Sequence, residues 1–221
     1  MKYITITPDR FDDVIKYLQF TFFADETLNK ALELCKPGEG HAESEKFSLQ
    51  TLKEGLSVMA VSDDNEIAGV ALNSCLNKDS KKAALNELND QPDEKFKKIF
   101  NLLYSQNLRV NLFKEYDVNE IFEVSILSVN PKFRGQGIAK QLLIQSEQIA
   151  RDNGFRVMKS DATGLFSQKV QASVGFKPCL ELRYDEYCDE NNKPIFAVEP
   201  PHEVFQILYK YLDDDEHVTS F

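Results

Sequence analysis

The chain has 221 residues, of which 42% are hydrophobic and 28% are charged. This is an ordinary globular composition, and it excludes a chain that is disordered throughout. The formal net charge is −10, from 36 acidic and 26 basic side chains. Such a balance argues against nucleic acid or an anionic membrane surface as the main partner, and it suits a cationic substrate.

The cysteine pattern and the N-terminal residues bear on the compartment. The four cysteines lack C-x-x-C spacing, so we expect reduced thiols and no zinc site. The N-terminus lacks the apolar core of a secretion signal, and no apolar run approaches the ~20 residues that cross a bilayer. We therefore expect a cytoplasmic protein that does not bind membranes.

We expect one domain over residues 1–212 and a mobile acidic tail at 213–221. The oligomeric state is left open, with a monomer slightly favoured.

The periodicity of the apolar residues predicts alternating strands and helices. In chain order they are a strand at 2–7, a helix from Thr7 to Phe22, a short helix from about Asp25, a hairpin of strands at 56–62 and 66–76, an exposed helix and loop at 78–93, a long amphipathic helix at 94–113, a strand at 121–129, a helix at 138–153, a strand at 155–158, a short helix at 163–173, a strand at 176–184 and a last element within 195–212. The stretch 204–212 is ambiguous between strand and helix. This order indicates an α/β protein.

The most informative segment is the glycine-rich turn Arg134-Gly135-Gln136-Gly137, which joins the strand at 121–129 to the helix at 138–153. The first N–H groups of a helix lack internal partners and carry partial positive charge, so an anion can bind there. Lys132 and Lys140 add positive charge in a protein that is otherwise acidic. A phosphate-bearing cofactor would explain this turn, and a tight turn with solvated lysines is the alternative. The pattern is neither a P-loop nor a G-x-G-x-x-G fingerprint.

A family resemblance extends this interpretation. Arg134-x-x-Gly137-x-Ala139 matches the [QR]-x-x-G-x-[GA] pyrophosphate signature of the GCN5-related N-acetyltransferases (GNAT), and Val174-Gly175-Phe176 after a helix also resembles that superfamily. The resemblance implies a GNAT fold, with a mixed central sheet, flanking helices and parallel fourth and fifth strands that splay apart. It implies acetyl-CoA as cosubstrate and no metal.

The same resemblance implies which residues contact the coenzyme. Backbone amides between about Gln136 and Lys140 would hold the pyrophosphate of coenzyme A. Leu127 and Val129 would pair through their main chain with the pantetheine arm. The full set of implied coenzyme contacts is Leu127, Ser128, Val129, Arg134, Gly135, Gln136, Gly137, Ile138, Ala139 and Lys140.

A narrower resemblance covers nearly the whole chain. Residues 22–29 (FFADETLN), 95–99 (KFKKI), 126–129 (ILSV) and Pro201-His202 resemble the insect arylalkylamine (dopamine) N-acetyltransferases. This resemblance implies direct acetyl transfer, in a ternary complex, to small primary amines of the dopamine, tyramine or serotonin type. An acetyltransferase for aliphatic polyamines or agmatine, a coenzyme A-binding module without turnover, and protein acetylation are the alternatives.

The chemistry of amine acetylation indicates which side chains to look for. An alkyl ammonium has a pKa near ~10, so only about one molecule in a thousand is nucleophilic at pH 7, and a general base would help. The resemblance implies that Glu26 is this base and that Ser167 assists proton transfer to the departing thiolate. Thr163 occupies the position of a second serine of the family, and we count it as a third candidate.

Structural alternatives exist for each of these candidates. Asp25 could cap a helix, with Glu26 as a favourable acid in its first turn. Ser167 could be an ordinary helix serine. Thr163, or Asp161 beside it, could cap the helix at 163–173. His202 is interpreted as a structural histidine in a turn, with a catalytic role as the alternative.

Overall fold

The computed structural model describes residues 1–78, 84–85 and 87–212. The predicted tail at 213–221, and part of the helix and loop predicted at 78–93, lie outside the described residues. Over the described ranges, no helix combines the length and the apolar character that a membrane span requires.

A seven-stranded sheet forms the centre of the protein. Its strands are β1 (Lys2–Thr5), β2 (Val58–Val61), β3 (Ile67–Asn77), β4 (Glu120–Val129), β5 (Val157–Ala162), β6 (Lys177–Arg183) and β7 (Val204–Tyr211). Their spatial order is β1-β2-β3-β4-β5-β7-β6. Only β4 and β5 pair in parallel, and the other neighbours are antiparallel. This arrangement confirms the predicted fold class, a mixed sheet with parallel fourth and fifth strands.

Seven α-helices that lie wholly within the described residues flank this sheet. They are α1 (Phe11–Thr21), α2 (Thr27–Ala31), α3 (Ala42–Lys53), α4 (Glu94–Asn107), α5 (Leu112–Glu115), α6 (Ile138–Asp152) and α7 (Leu165–Ala172). Val70 and Leu72 of β3 pack in the cluster that contains α1, whereas Ala71 packs against α6. A Cβ atom added to Gly69 would lie 2.9 Å from the Ser128 carbonyl oxygen and 3.1 Å from Leu142 Cδ1. Glycine at 69 therefore lets α6 lie directly on β3 and β4.

The sheet opens between β4 and β5. These strands pair over three positions only, the last of which joins Val124 to Ser160. The hydroxyl of Ser160 donates to the Val124 carbonyl oxygen at 3.0 Å, which closes this last rung. Beyond it β4 continues to Val129, while β5 continues to Ala162 along its other partner, β7. The result is a gap between β4 and β5, and the backbone of each strand borders it.

The structure departs from the sequence-based predictions at two helices and resolves one ambiguous stretch. The helix predicted at 94–113 is two helices, because Asn111 starts α5 by accepting from the Lys114 N–H at 3.1 Å. In the stretch 204–212, which the sequence left ambiguous between strand and helix, Val204–Tyr211 form strand β7, which pairs with β5 on one side and β6 on the other. Helix α3 was not predicted. Its buried face includes Ser44 and Ser48, so its apolar stripe is interrupted.

Candidate active site

Two cavities adjoin at the gap between β4 and β5. The larger, called the large cleft below, has a volume of about 1140 Å³. The smaller, called the aromatic chamber below, has a volume of about 130 Å³. Five residues line both cavities, namely Phe22, Glu26, Leu127, Thr163 and Ser167. The chamber therefore meets the cleft at these side chains.

The large cleft runs along the end of β4, the glycine turn and the start of α6. Gly135 and Gly137 have φ values of +79° and +76°, and a Cβ atom added to either would meet no atom within 4 Å. Gly137 is the N-cap residue of α6, and no side chain of the described residues caps this helix. The first N–H groups of α6 are therefore available to an anion in the cleft. This geometry fits the pyrophosphate of coenzyme A.

The predicted coenzyme contacts are largely brought together. Gln136 does not line the large cleft, whereas the other nine do, namely Leu127, Ser128, Val129, Arg134, Gly135, Gly137, Ile138, Ala139 and Lys140. Their contact with the coenzyme stays a prediction.

Two of the basic side chains at this turn are already paired. Arg134 Nη2 lies 2.8 Å from Asp25 Oδ2, and Lys132 Nζ lies 2.6 Å from Glu66 Oε2. All four side chains are exposed, and exposed ion pairs are worth only ~0–1 kcal/mol. A phosphate group could therefore displace either carboxylate.

Glu26 occupies the N-cap position of α2. Its Oε2 accepts hydrogen bonds from the Leu28 N–H at 3.0 Å and the Asn29 N–H at 2.9 Å, and its Oε1 accepts from the Thr163 hydroxyl. The alternative in which Asp25 caps this helix is wrong, because Asp25 pairs with Arg134 instead. Burial raises the pKa of the Glu26 carboxyl, and this effect outweighs the hydrogen bonds from Thr163 and the α2 backbone, which lower it.

Thr163 lies in the tight turn between β5 and α7. The N-cap of α7 is Gly164, so neither Thr163 nor Asp161 caps this helix. His202, which lies in a loop distant in sequence, contributes to capping α7, because its Nδ1 accepts a hydrogen bond from the Leu165 N–H at 3.0 Å. A Cβ atom added to Gly164 would lie 2.9 Å from the same nitrogen. Glycine at 164 therefore allows the loop that carries His202 to approach the start of α7. The Thr163 hydroxyl does not cap α7 and instead donates a hydrogen bond to Glu26.

Ser167 completes the group of predicted catalytic residues. It lies in the first turn of α7, and its hydroxyl donates to the Gly164 carbonyl oxygen at 2.8 Å. It lines both cavities, as do Glu26 and Thr163. The structure therefore brings all three candidates to the junction of the cleft and the chamber, while their roles in catalysis stay predictions.

The aromatic chamber has walls that the sequence did not reveal. They include five aromatic side chains, Phe22, Phe23, Phe47, Phe100 and Tyr104. The Phe100 ring packs edge-on against Phe47 at 5.6 Å and against Tyr104 at 5.3 Å. The i, i+4 spacing of Phe100 and Tyr104 puts both residues on one face of a helix, which is a sequence signal for the chamber wall that they form. Phe47 could not be assigned to the chamber from the sequence, because helix α3, which carries it, was not predicted.

A buried ion cluster adds charge to the chamber. Lys159 Nζ lies 2.8 Å from Glu123 Oε1 and 2.7 Å from Asp161 Oδ1, and Asn107 Nδ2 donates to Asp161 Oδ2 at 2.8 Å. Burial disfavours the charged amine, but the two carboxylates outweigh it, and the pKa of Lys159 is raised. Glu123 and Asp161 line the chamber. In the part of the chain that the structure describes, no group of histidine, cysteine or acidic side chains could hold a metal ion.

Known proteins resemble this chain in sequence and in structure. The model of the acetyltransferase (GNAT) family matches residues 25–176. Arylalkylamine N-acetyltransferase 2 from Aedes aegypti is 53% identical over 96% of this chain and 98% of that chain, with a TM-score of 0.93.

Two more distant structures share the fold. A mosquito arylalkylamine N-acetyltransferase like 5b is 22% identical, with a TM-score of 0.86. A polyamine N-acetyltransferase from Drosophila melanogaster, which forms N-acetylagmatine, is 20% identical, with a TM-score of 0.84. Each alignment covers 96% of this chain and 99% of the other. At these identities the likeness shows the fold alone.

The matched family region contains Glu26, the splayed strands, the glycine turn and α7, which contribute to the walls of the two cavities. Together with the likeness to the Aedes aegypti protein, it confirms the resemblance inferred from the sequence. The chain belongs to the acetyltransferase (GNAT) family, and it is an enzyme of that family similar to the insect arylalkylamine N-acetyltransferases.

Proposed function

We propose that the protein transfers an acetyl group from acetyl-CoA to small primary arylalkylamines of the dopamine, tyramine or serotonin type. One observation carries this proposal, namely an aromatic-lined chamber of about 130 Å³ that meets the large cleft at Glu26. A cavity of roughly 150 Å³ with apolar walls holds one benzene ring, so the chamber has the size of a single aryl group. The name of the 53% identical mosquito protein agrees with this substrate class.

In this proposal the large cleft holds the coenzyme. The free N–H groups at the start of α6 would bind its pyrophosphate, with Gly135 and Gly137 leaving the backbone accessible. The edge of β4 beyond Val124 would pair with the pantetheine arm, because β5 has diverged there. Acetyl-CoA supplies the thioester, and the junction with the chamber is where the amine would meet it.

The three junction residues then divide the proton transfers. Glu26 accepts a proton from the ammonium group, which frees the nitrogen lone pair to attack the thioester carbonyl carbon. The carbon–sulfur bond breaks, the new amide nitrogen loses its surplus proton, and Ser167 relays a proton to the departing thiolate, so that free coenzyme A leaves as a thiol. A raised pKa brings the Glu26 carboxylate closer to the pH at which it works, which suits a general base. Thr163 fixes Oε1 of this carboxylate through its hydrogen bond.

An aliphatic polyamine or agmatine acetyltransferase is the second candidate function. The observation in its favour is that the carboxylates of Glu123 and Asp161 line the chamber, where they would attract a second cationic group. The ring-sized volume and the aromatic walls favour the arylalkylamines.

A substrate panel tests the proposed function. We expect kcat/KM for dopamine, tyramine and serotonin to exceed that for putrescine, spermidine and agmatine by at least ~10-fold. The reason is that burying an aryl ring stabilises the complex by about 1.5–3 kcal/mol. Initial rates with saturating acetyl-CoA give the comparison. A preference for the aliphatic set would refute the arylalkylamine assignment.

The variant Gly137→Ala tests the coenzyme site. A left-handed φ costs a non-glycine residue roughly 1–2 kcal/mol, and the new methyl group would extend into the large cleft. We expect KM for acetyl-CoA to rise by about 10-fold or more, because the helix terminus is displaced or obstructed.

Gly154→Ala is the matched control for Gly137→Ala. Gly154 follows the other end of α6, has a φ of +78°, and an added Cβ atom there also meets nothing within 4 Å. It carries the same backbone strain but does not line the cleft. Both variants are to be compared by thermal unfolding and steady-state kinetics. An equal rise of the acetyl-CoA KM in both would contradict the assignment of the site.

The variant Glu26→Gln tests the general base. We expect kcat/KM to fall by about 10²–10⁴-fold, which is the usual contribution of a general base. A base works only when deprotonated, so wild-type activity rises with pH through the Glu26 pKa. Because burial raises that pKa, this acidic limb lies above the ordinary glutamate pKa of about 4.3. The limb should be absent from the pH profile of Glu26→Gln.

Glu54→Gln is the control for this profile. Burial also raises the pKa of Glu54, and its carboxylate accepts from the Cys75 N–H at 2.6 Å. Glu54 lines neither cavity, so we expect an unchanged pH profile. The general-base assignment fails if Glu26→Gln keeps the wild-type rate at every pH.

The variants Thr163→Val and Thr163→Ser test how Glu26 is held. The hydrogen bond from Thr163 lowers the pKa of Glu26. Its loss in Thr163→Val should raise that pKa further and move the acidic limb of kcat/KM to higher pH. Thr163→Ser keeps the hydroxyl and should restore the wild-type limb. A loss of rate without any movement of the limb would show that Thr163 acts through another contact.

A further inference from the structure

Tyr184 connects the core of the protein to the proposed general base. It lies directly after β6 and is 3% exposed, and its ring packs edge-on against Phe196 with 6.2 Å between the ring centroids. Its hydroxyl donates to the Thr163 carbonyl oxygen at 2.6 Å. The Thr163 hydroxyl in turn donates to Oε1 of Glu26. Two successive hydrogen-bonded contacts therefore lead from a buried ring to the carboxylate at the junction of the two cavities.

The Thr163 carbonyl lies where the sheet no longer supplies a donor. The pairing of β5 with β7 ends one residue earlier, where Ala162 lies opposite Gln206. Among the described residues, no backbone N–H donates to the Thr163 carbonyl oxygen. Backbone carbonyl groups within a fold are nearly always paired, and here the Tyr184 hydroxyl is the donor.

The residues on either side of Thr163 are held by other contacts. Gln168 Nε2 donates to the Ala162 carbonyl oxygen at 3.1 Å and to the Val204 carbonyl oxygen at 2.6 Å. The imidazole that caps α7 holds the other side of the turn. The Tyr184 hydroxyl, in contrast, bonds to Thr163 itself. Its removal should therefore loosen Thr163 while the rest of the turn stays in place.

We propose that Tyr184 is a positioning residue for acetyl transfer, which acts through Thr163 to hold the Glu26 carboxylate in the orientation that accepts the proton of the amine. Tyr184 lines neither cavity, so it acts without touching the amine or the coenzyme. This inference rests on the proposed function, because it takes Glu26 as the general base. Burial raises the pKa of Tyr184, and the Glu26 carboxylate raises it further, so the hydroxyl stays protonated and remains a donor.

The acidic limb of the pH profile reports on how Glu26 is held. The hydrogen bonds from Thr163 and from the backbone of α2 lower the pKa of Glu26. The charged groups on the surrounding elements have partners of their own, namely Asp25 with Arg134, Lys30 with Glu199, and Asp161 and Glu123 with Lys159. A weaker bond from Thr163 stabilises the carboxylate less, so it should raise the pKa of Glu26 and move the limb to higher pH.

The variant Tyr184→Phe tests this role, because it removes the hydroxyl and keeps the ring. We expect the acidic limb of kcat/KM, measured with the best amine of the substrate panel, to move to higher pH by roughly 0.3–1 pH unit, the size expected for one neutral hydrogen bond. KM for acetyl-CoA should not change. Circular dichroism at each pH separates this movement from acid unfolding. An unmoved limb would overturn the inference.

Tyr187→Phe is the matched control for Tyr184→Phe. The Tyr187 ring stacks on the same Phe196, with 6.0 Å between the ring centroids, and it lines neither cavity. None of the described hydrogen bonds joins its hydroxyl to Thr163. We expect the wild-type limb in this variant. An equal movement in both variants would overturn the inference, because packing around Phe196 would then be the cause.

The double variant Tyr184→Phe/Thr163→Val shows whether Tyr184 acts through Thr163. Substitutions along one hydrogen-bonded network are not additive, so the limb of the double variant should coincide with that of Thr163→Val alone. A movement equal to the sum of the two single effects would overturn the route through Thr163. If Glu26→Gln retains the acidic limb, the base assignment and this inference fail together. If Glu26→Gln loses the limb and Tyr184→Phe leaves it unmoved, this inference alone fails.

Discussion

The early end of the parallel pairing between β4 and β5 is the constraint on which the site depends. Three paired positions fix the two strands, and after Val124 and Ser160 the strands separate. Backbone groups beyond that point need other partners, and the two cavities adjoin in the same gap. Helix α6 follows β4 and α7 follows β5, so both begin at this edge of the sheet. In the proposed reaction the coenzyme and the amine therefore reach one point from different sides.

In the proposed mechanism, the carboxylate of Glu26 combines a structural contact with a chemical role. Its Oε2 closes the first turn of α2, while its Oε1 bonds Thr163 from the end of β5. These hydrogen bonds favour the ionised form and burial opposes it, and the net effect is a raised pKa. Because both oxygens are held, the carboxylate is fixed at the junction before an amine arrives. Such fixed orientation is what a general base requires.

Features that lie within one short segment of the chain could be predicted from the sequence, whereas contacts between distant segments could not. The turn at 134–137 was predicted because a strand, glycines and a helix start lie within one short segment. The bond between Glu26 and Thr163 joins residues 137 positions apart, and periodicity carries no information about such a contact. Helix α3 was missed because serines interrupt its buried face.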